Sequence, residues 1–186
     1  MESSQNKNNK NNLDIAIKLD ESIRYLLKSA KDFRKGNEDM ADLIAQLSSV
    51  LDNVEKTLNI VEEKYYSMLE RYKNGGEINP IILEKFVENL ENLTHVLDNV
   101  EKITKNLNSE IDKHVNSMSK LDDTISKLKF VNTEISNEVI SEFEKVFSII
   151  KNNKEKLNEL INKNQALENR LKELLLEIDS MIDENK

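Results

Sequence analysis

From Ala16 to Met181 the apolar residues of this chain recur at steps of three and four, and the only glycines and prolines set among them are Gly36, Gly75, Gly76 and Pro80. That alternation lines apolar side chains along one stripe of an α-helix, and it suits helices that pack along their length. Strands have no place in such a pattern. Three glycines, one proline and 33% charged residues in a chain of 186 fit long helices or coiled coils. The expected fold class is all-α: an elongated antiparallel helical bundle of three to four long helices, heptad-packed, with a coiled-coil stalk.

The breakers suggest where these helices end. Residues 1–12 are polar and rich in Asn and Lys, and read as a disordered tail. A first helix carries Ala16, Leu19, Ile23, Leu26, Ala30 and Phe33. Lys31, Arg34 and Lys35 then complement the negative end of a helix dipole, Gly36 can take a left-handed cap, and Asn37 with Glu38 and Asp39 can open the next helix. These signals predict a tight hairpin at Gly36. A second helix runs from Met40 to Tyr72 and stops at Asn74-Gly75-Gly76. The third opens at Asn79-Pro80, with Asn as N-cap, Pro at the first helical position, and Ile78 and Leu83 spaced as a hydrophobic staple.

Beyond Pro80 no residue forces a break. The third helix keeps its stripe from Leu83 to Leu128, interrupted by polar Thr104 and His114. Ile135, Val139 and Phe143 are then separated by four and four, a stutter, before the alternation resumes through Asn153 and Asn164 to Met181. The nearly equal lengths of 83–128 and 135–181 favour a hairpin turn near 129–134 over one continuous helix from 80 to 184. A weaker point for a kink is Lys151-Asn152-Asn153-Lys154. The resulting division is a tail at 1–12, a helical bundle at 13–116 (the hairpin 13–73 plus the first part of the third helix), a stalk or hairpin tip at 117–150, and a C-terminal bundle helix at 151–186.

Stripe width separates a two-stranded coil from a bundle, because a bundle also buries positions beside the heptad core. Leu43, Val50, Ile82, Val96, Ile103, Ile161, Leu175 and Ile182 widen the stripe, whereas it narrows over 117–128.

The chemistry expected of the chain is sparse. Without cysteine there are no disulfides, thiolate metal sites or cysteine nucleophiles. No run is long and apolar enough for membrane insertion and the N-terminus does not resemble a signal peptide, so a cytoplasmic protein is expected. A net charge of −8, without a basic stripe, argues against nucleic acid as a partner. Glu91 with His95 and Glu110 with His114 have i, i+4 spacing, unlike the Glu-x-x-His of di-iron bundles, and the two histidines lie too far apart on one helix to share an ion. No metal, cofactor or catalytic residue is expected. His114 falls on the core face, where it would set register as Asn153 and Asn164 do, or in a sharper reading make the packing sensitive to pH.

Two aromatic features suggest contact surfaces. Tyr65 and Tyr72 occupy core positions, which leaves Tyr66 as a surface candidate. In VISEFEKVFSII, the residues Val139, Ile140, Phe143, Val146, Phe147 and Ile150 make a face broader than the thin stripe of 117–128 could cover, and uncovered apolar surface of that kind marks partner sites. Val139, Ile140, Phe143, Phe147, Ile150 and Tyr66 are therefore the expected partner-binding residues. The function expected is a non-catalytic helical interaction or scaffold protein, including the export-type chaperone and assembly-factor versions of that role, with a protein partner and self-association as a homo-oligomer both open. The rival is a ligand- or metal-binding helical bundle with enzymatic potential. The heptapeptide VLDNVEK occurs at 50–56 and again at 96–102, with Leu and Val in core positions and Asp, Asn, Glu and Lys outward, a matching packing face on successive helices.

Overall fold

The computed structural model describes residues 2–128 and 134–184, with side chains from Leu13 onward. Among these it contains three α-helices, α1 (Glu2–Lys73), α2 (Pro80–Leu128) and α3 (Glu134–Glu184), and no strand. The all-α expectation of three to four long helices holds, with three among the described residues.

The α1–α2 link forms as its residues dictate. Gly76 N donates to Arg71 O at 3.0 Å and Gly75 N to Tyr72 O at 2.9 Å, while Gly75 takes a φ of 88°. This is the Schellman arrangement, in which a glycine in the left-handed region satisfies the last carbonyls of a helix. Asn79 Oδ1 then accepts from Ile81 N at 3.0 Å, the N-cap bond of α2, and Pro80 fills the first helical position, where a missing N–H costs nothing.

The hairpin expected at Gly36 is not formed. α1 passes straight through, Gly36 is helical, and Gly75 is the only described residue with positive φ. The reason lies in the core register: Ala30, Phe33, Asn37, Met40 and Ile44 follow one another at steps of three and four, so Asn37 is a core residue and not a helix cap. A helical glycine costs only about 1 kcal/mol relative to alanine, too little to stop a helix held by packing on both sides. The polar run expected as a disordered tail is likewise drawn into α1, which starts at Glu2. It contains neither proline nor glycine, and extending an existing helix adds one hydrogen bond for each residue fixed.

The residues divide into two compact units. The first takes α1 up to Ala41, α2 from Ile111 and α3 up to Asn153. Its core holds Ile23 and Ala30 of α1, Ile125 and Leu128 of α2, and Val139 and Phe143 of α3. In one continuous helix Ile125 and Val139 would stand about 21 Å apart, so their common cluster requires α3 to run back along α2. The turn expected near 129–134 lies, except for its last residue, outside the described residues. Lys31 pairs with Glu138 and Arg34 with Glu142, so α1 and α3 run parallel here. The expected two-helix stalk is thus a three-helix bundle. The expected stutter also disappears, because Ser136, fully buried, joins Val139, Phe143, Val146 and Ile150 in a regular 3-4 series, with Ile135 at its flank.

The second unit takes α1 from Asp42, α2 up to Glu110 and α3 from Lys154. Its core is Ile44, Leu47, Leu51, Val54, Leu58, Val61 and Tyr65 from α1, facing Leu83, Phe86, Leu90, Leu97 and Val100 of α2 and Leu157, Leu160, Leu167, Leu171, Leu174 and Ile178 of α3. Asp52 and Glu55 meet Lys163, Glu62 meets Arg170 and Tyr66 meets Glu177, again a parallel register of α1 with α3. Tyr65 stacks edge-on to Phe86 at 6.2 Å, the antiparallel meeting of α1 with α2. The weak point expected at 151–154 does not interrupt α3.

Candidate functional site

A polar layer inside the first unit is built by one residue from each helix. Asn37 of α1 is fully buried; its Nδ2 donates to Phe33 O at 2.8 Å, which turns Oδ1 towards α2. There it lies 3.0 Å from Nδ1 of His114. Since Oδ1 can only accept, Nδ1 carries the proton, a tautomer assigned from the network. The imidazole also stands edge-on to Phe33, with ring centroids 4.6 Å apart. From α3, the fully buried Asn153 donates Nδ2 to Asn37 O at 2.9 Å, while its own Oδ1 has no hydrogen-bond partner. Two amides and an imidazole interlock three helices at one level, the register-setting role expected of His114 and Asn153. Asn37, which the sequence had seemed to offer as a cap, is their common partner.

A second cluster lies nearby in the same unit. The side chain of Glu142 is only 8% exposed, with Lys145 Nζ at 2.9 Å and Arg34 Nε at 3.0 Å, the latter contact bent away from hydrogen-bond geometry. The hydrogen bond from Lys145 and the charges of Arg34, Lys145 and Lys31 hold its carboxyl below the usual range, against the opposing effect of burial. Such a carboxylate is fixed in its charged form and pins α3 to α1.

The residues expected to bind a partner are distributed differently from the expectation. Val139, Phe143 and Ile150 are buried, with exposures of 4% or less, and Ile140 and Phe147 are half-buried against the same cluster. The broad face of 139–150 is covered by α1, whose Ile23, Leu26, Leu27 and Ala30 lie on it. The surface expected to be open is therefore closed from within, because α1 does not turn back at Gly36. Tyr66 is exposed, as expected, and its hydroxyl donates to Glu177 at 3.3 Å; burial and that carboxylate raise its pKa. Tyr65 is buried, its phenol pushed up to about 12 chiefly by desolvation, whereas Tyr72, expected in the core, is exposed.

Over 174 residues the chain is 39% identical to the uncharacterized protein MJ0063 of Methanocaldococcus jannaschii, an alignment that takes in 94% of this chain and 96% of that one. The chain belongs to the same family. No protein-family model matches it, and no solved structure does. An alignment of that extent reaches into all three helices, so the relationship concerns the whole bundle and not one segment of it.

An exposed apolar stretch lies instead at the start of α1. The stripe that is buried from Ile23 onward continues towards the N-terminus through Ile15, Ala16 and Leu19, but among the described residues it is open there: Ile15 and Leu19 are exposed by 64 and 48%, and Leu13 and Ile17, on other sides of the helix, by 61 and 49%. Ala16 and Leu19 were legible as core positions; that their partner is missing was not. Among the described residues no three His, Asp or Glu side chains gather in a geometry that could hold a metal ion, and no helix is long and apolar enough to cross a membrane.

Proposed function

We propose that the protein is a non-catalytic helical scaffold that works by helix-on-helix contact with another protein in the cytoplasm, using coiled-coil packing as its mode of recognition. The observation that carries this reading is the exposed apolar stretch of α1 between Leu13 and Leu19, in which Ile15 and Leu19 continue the core stripe yet stay open to solvent among the described residues. Each large apolar side chain left in water forgoes about 1.5–3 kcal/mol of burial, which a docked helix would recover. A chaperone or assembly factor that shields a helical subunit is the specific form of this role that fits the surface. The polar layer around Asn37 supports a structural reading over a ligand site, since its amides and imidazole bond to one another across the helices.

The test is affinity capture from the native host with the full-length protein, beside an Ile15→Asp/Leu19→Asp variant. Proteins retained by the wild type and lost from the variant, at unchanged helicity, are expected. Identical sets from both, or an activity in the purified protein that depends on stoichiometric metal, overturn the reading.

A further inference from the structure

In the second unit the flanks of the heptad core are chemically unequal. On α1, the side facing α3 carries Asp52, Glu55, Asn59 and Glu62, which meet Lys163 and Arg170. The opposite flank, at the same depth, reads Leu43, Gln46, Val50, Asn53, Thr57 and Ile60, without a charge. The matching flank of α2 reads Asn89, Asn92, Val96, Asn99, Ile103 and Asn106, again without a charge. In a chain with 33% charged residues, two adjacent neutral flanks are a marked departure. They are neighbours: farther along the same groove, where charges return, Glu63, Lys64 and Arg71 of α1 and Ile82, Lys85 and Asn89 of α2 line a common cleft. Four of the apolar residues are open to solvent, Leu43 at 36%, Val50 at 37%, Ile103 at 38% and Ile60 at 52%.

We infer that this neutral α1–α2 face is where a second copy of the chain docks, two helices against two, to form a four-helix layer. Depletion of charge around exposed apolar side chains is the compositional mark of an interface core. The choice of occupant follows from charge. The neutral flanks over 43–60 and 89–106 have nothing to offer a charged partner surface, since any charge brought against them would be desolvated without compensation. The surface known to match them is the same face of another copy, and pairing there leaves the acidic groups of a protein with net charge −8 outside the contact. Symmetry supports this. Twelve residues back from Tyr65 is Asn53 and twelve on from its partner Phe86 is Asp98, beside Asn99, so the two VLDNVEK segments lie level and antiparallel. The face thus nearly repeats itself on a half-turn, as an isologous contact readily accommodates. The stretch 43–60 is about 27 Å long and two helices are roughly 20 Å wide, giving about 1,000 Å² over both copies, near the lower bound of specific interfaces.

This inference builds on the interaction reading above but uses a different surface, so the two can fail separately. Sedimentation velocity of the full-length protein up to about 200 μM should show a dimer, with Asn53→Glu/Asn99→Glu weakening it at least about tenfold. Both positions are exposed, so helicity should not change. Leu176→Glu, on the exposed outer side of α3, should leave the dimer intact. The chain lacks cysteine, so a second measurement is available on variants that fold as wild type: a short bis-maleimide should join Asn53→Cys copies and not Leu176→Cys copies. A wild type that stays monomeric, equal effects of the two glutamate variants, or equal cross-linking at the two cysteines overturns the inference. A monomer that still captures proteins through residues 13–19 removes the dimer and leaves the scaffold reading standing.

Discussion

His114 of α2 donates its Nδ1 proton to Asn37 Oδ1 of α1 across 3.0 Å, and Asn37 O in turn accepts from Asn153 of α3. The layer binds the three helices of the first unit to a single register. Replacing Asn37 by Ala removes an acceptor from a partly buried donor and should cost about 1–3 kcal/mol. An Asn37→Leu/His114→Leu pair should lose less than the sum of the two single Leu variants, because it removes both ends of the bond. Urea denaturation of the four proteins measures this; simple additivity would mean that the bond contributes nothing in solution.

Gly36 sits inside α1 with open space where a Cβ would project, and its φ is negative, whereas Gly75 holds φ at 88° in the α1–α2 link. Gly36→Ala should therefore stabilise the protein by about 0.5–1 kcal/mol and Gly75→Ala should destabilise it by a similar amount or more. Thermal unfolding of the two variants distinguishes these opposite signs. Destabilisation by Gly36→Ala would indicate a chain that turns at this glycine.

Glu142 has a carboxyl pKa held below its ordinary value of 4.5, first by the hydrogen bond from Lys145 and then by Arg34, with burial opposing. In the unfolded chain the group takes up its proton at higher pH than in the folded one, so acid favours unfolding. Its contribution is complete above about pH 4.5 and is lost as the pH falls through the depressed folded value. Urea midpoints between pH 3 and 7 should fall more steeply at the acid end for the wild type than for Glu142→Gln. Parallel profiles would remove Glu142 from the acid response.

Phe143 and Val139 are core residues and not a docking patch. Phe143→Ala should cost about 3–5 kcal/mol of stability. Exposed Ile17→Ala, by contrast, should change stability by less than about 0.5 kcal/mol. Chemical denaturation decides the point, and a Phe143→Ala protein as stable as the wild type would contradict the packing of the first unit.

Much of this arrangement is written locally. Asn79-Pro80 and Gly75 have the conformations their chemistry demands, and the 3-4 spacing locates nearly every buried leucine. What misleads is Lys35-Gly36-Asn37, where three cap-like residues outweighed a register that runs unbroken from Phe33 through Asn37 to Met40 and Ile44. Cap signals are worth about 1 kcal/mol each, whereas continuous packing on two neighbouring helices involves many buried side chains, so the longer pattern prevails. With the helix continuous at Gly36, the 139–150 face is covered by α1, and Ile15 and Leu19 stay open among the described residues. Ser136 was missed because a small polar residue in a core position leaves no apolar signal. The neutral flanks of α1 and α2 could be read from the sequence, but their being neighbours required the antiparallel register.

The course of α1 through Gly36 is the claim on which the covered face, the polar layer and the exposed N-terminal stripe all depend. Hydrogen exchange of the backbone amides of residues 33–41 in the full-length protein reports it. A continuous helix predicts that these amides exchange as slowly as those of residues 23–32 in the same helix. Fast exchange confined to residues 35–39, as in a turn, would contradict the account.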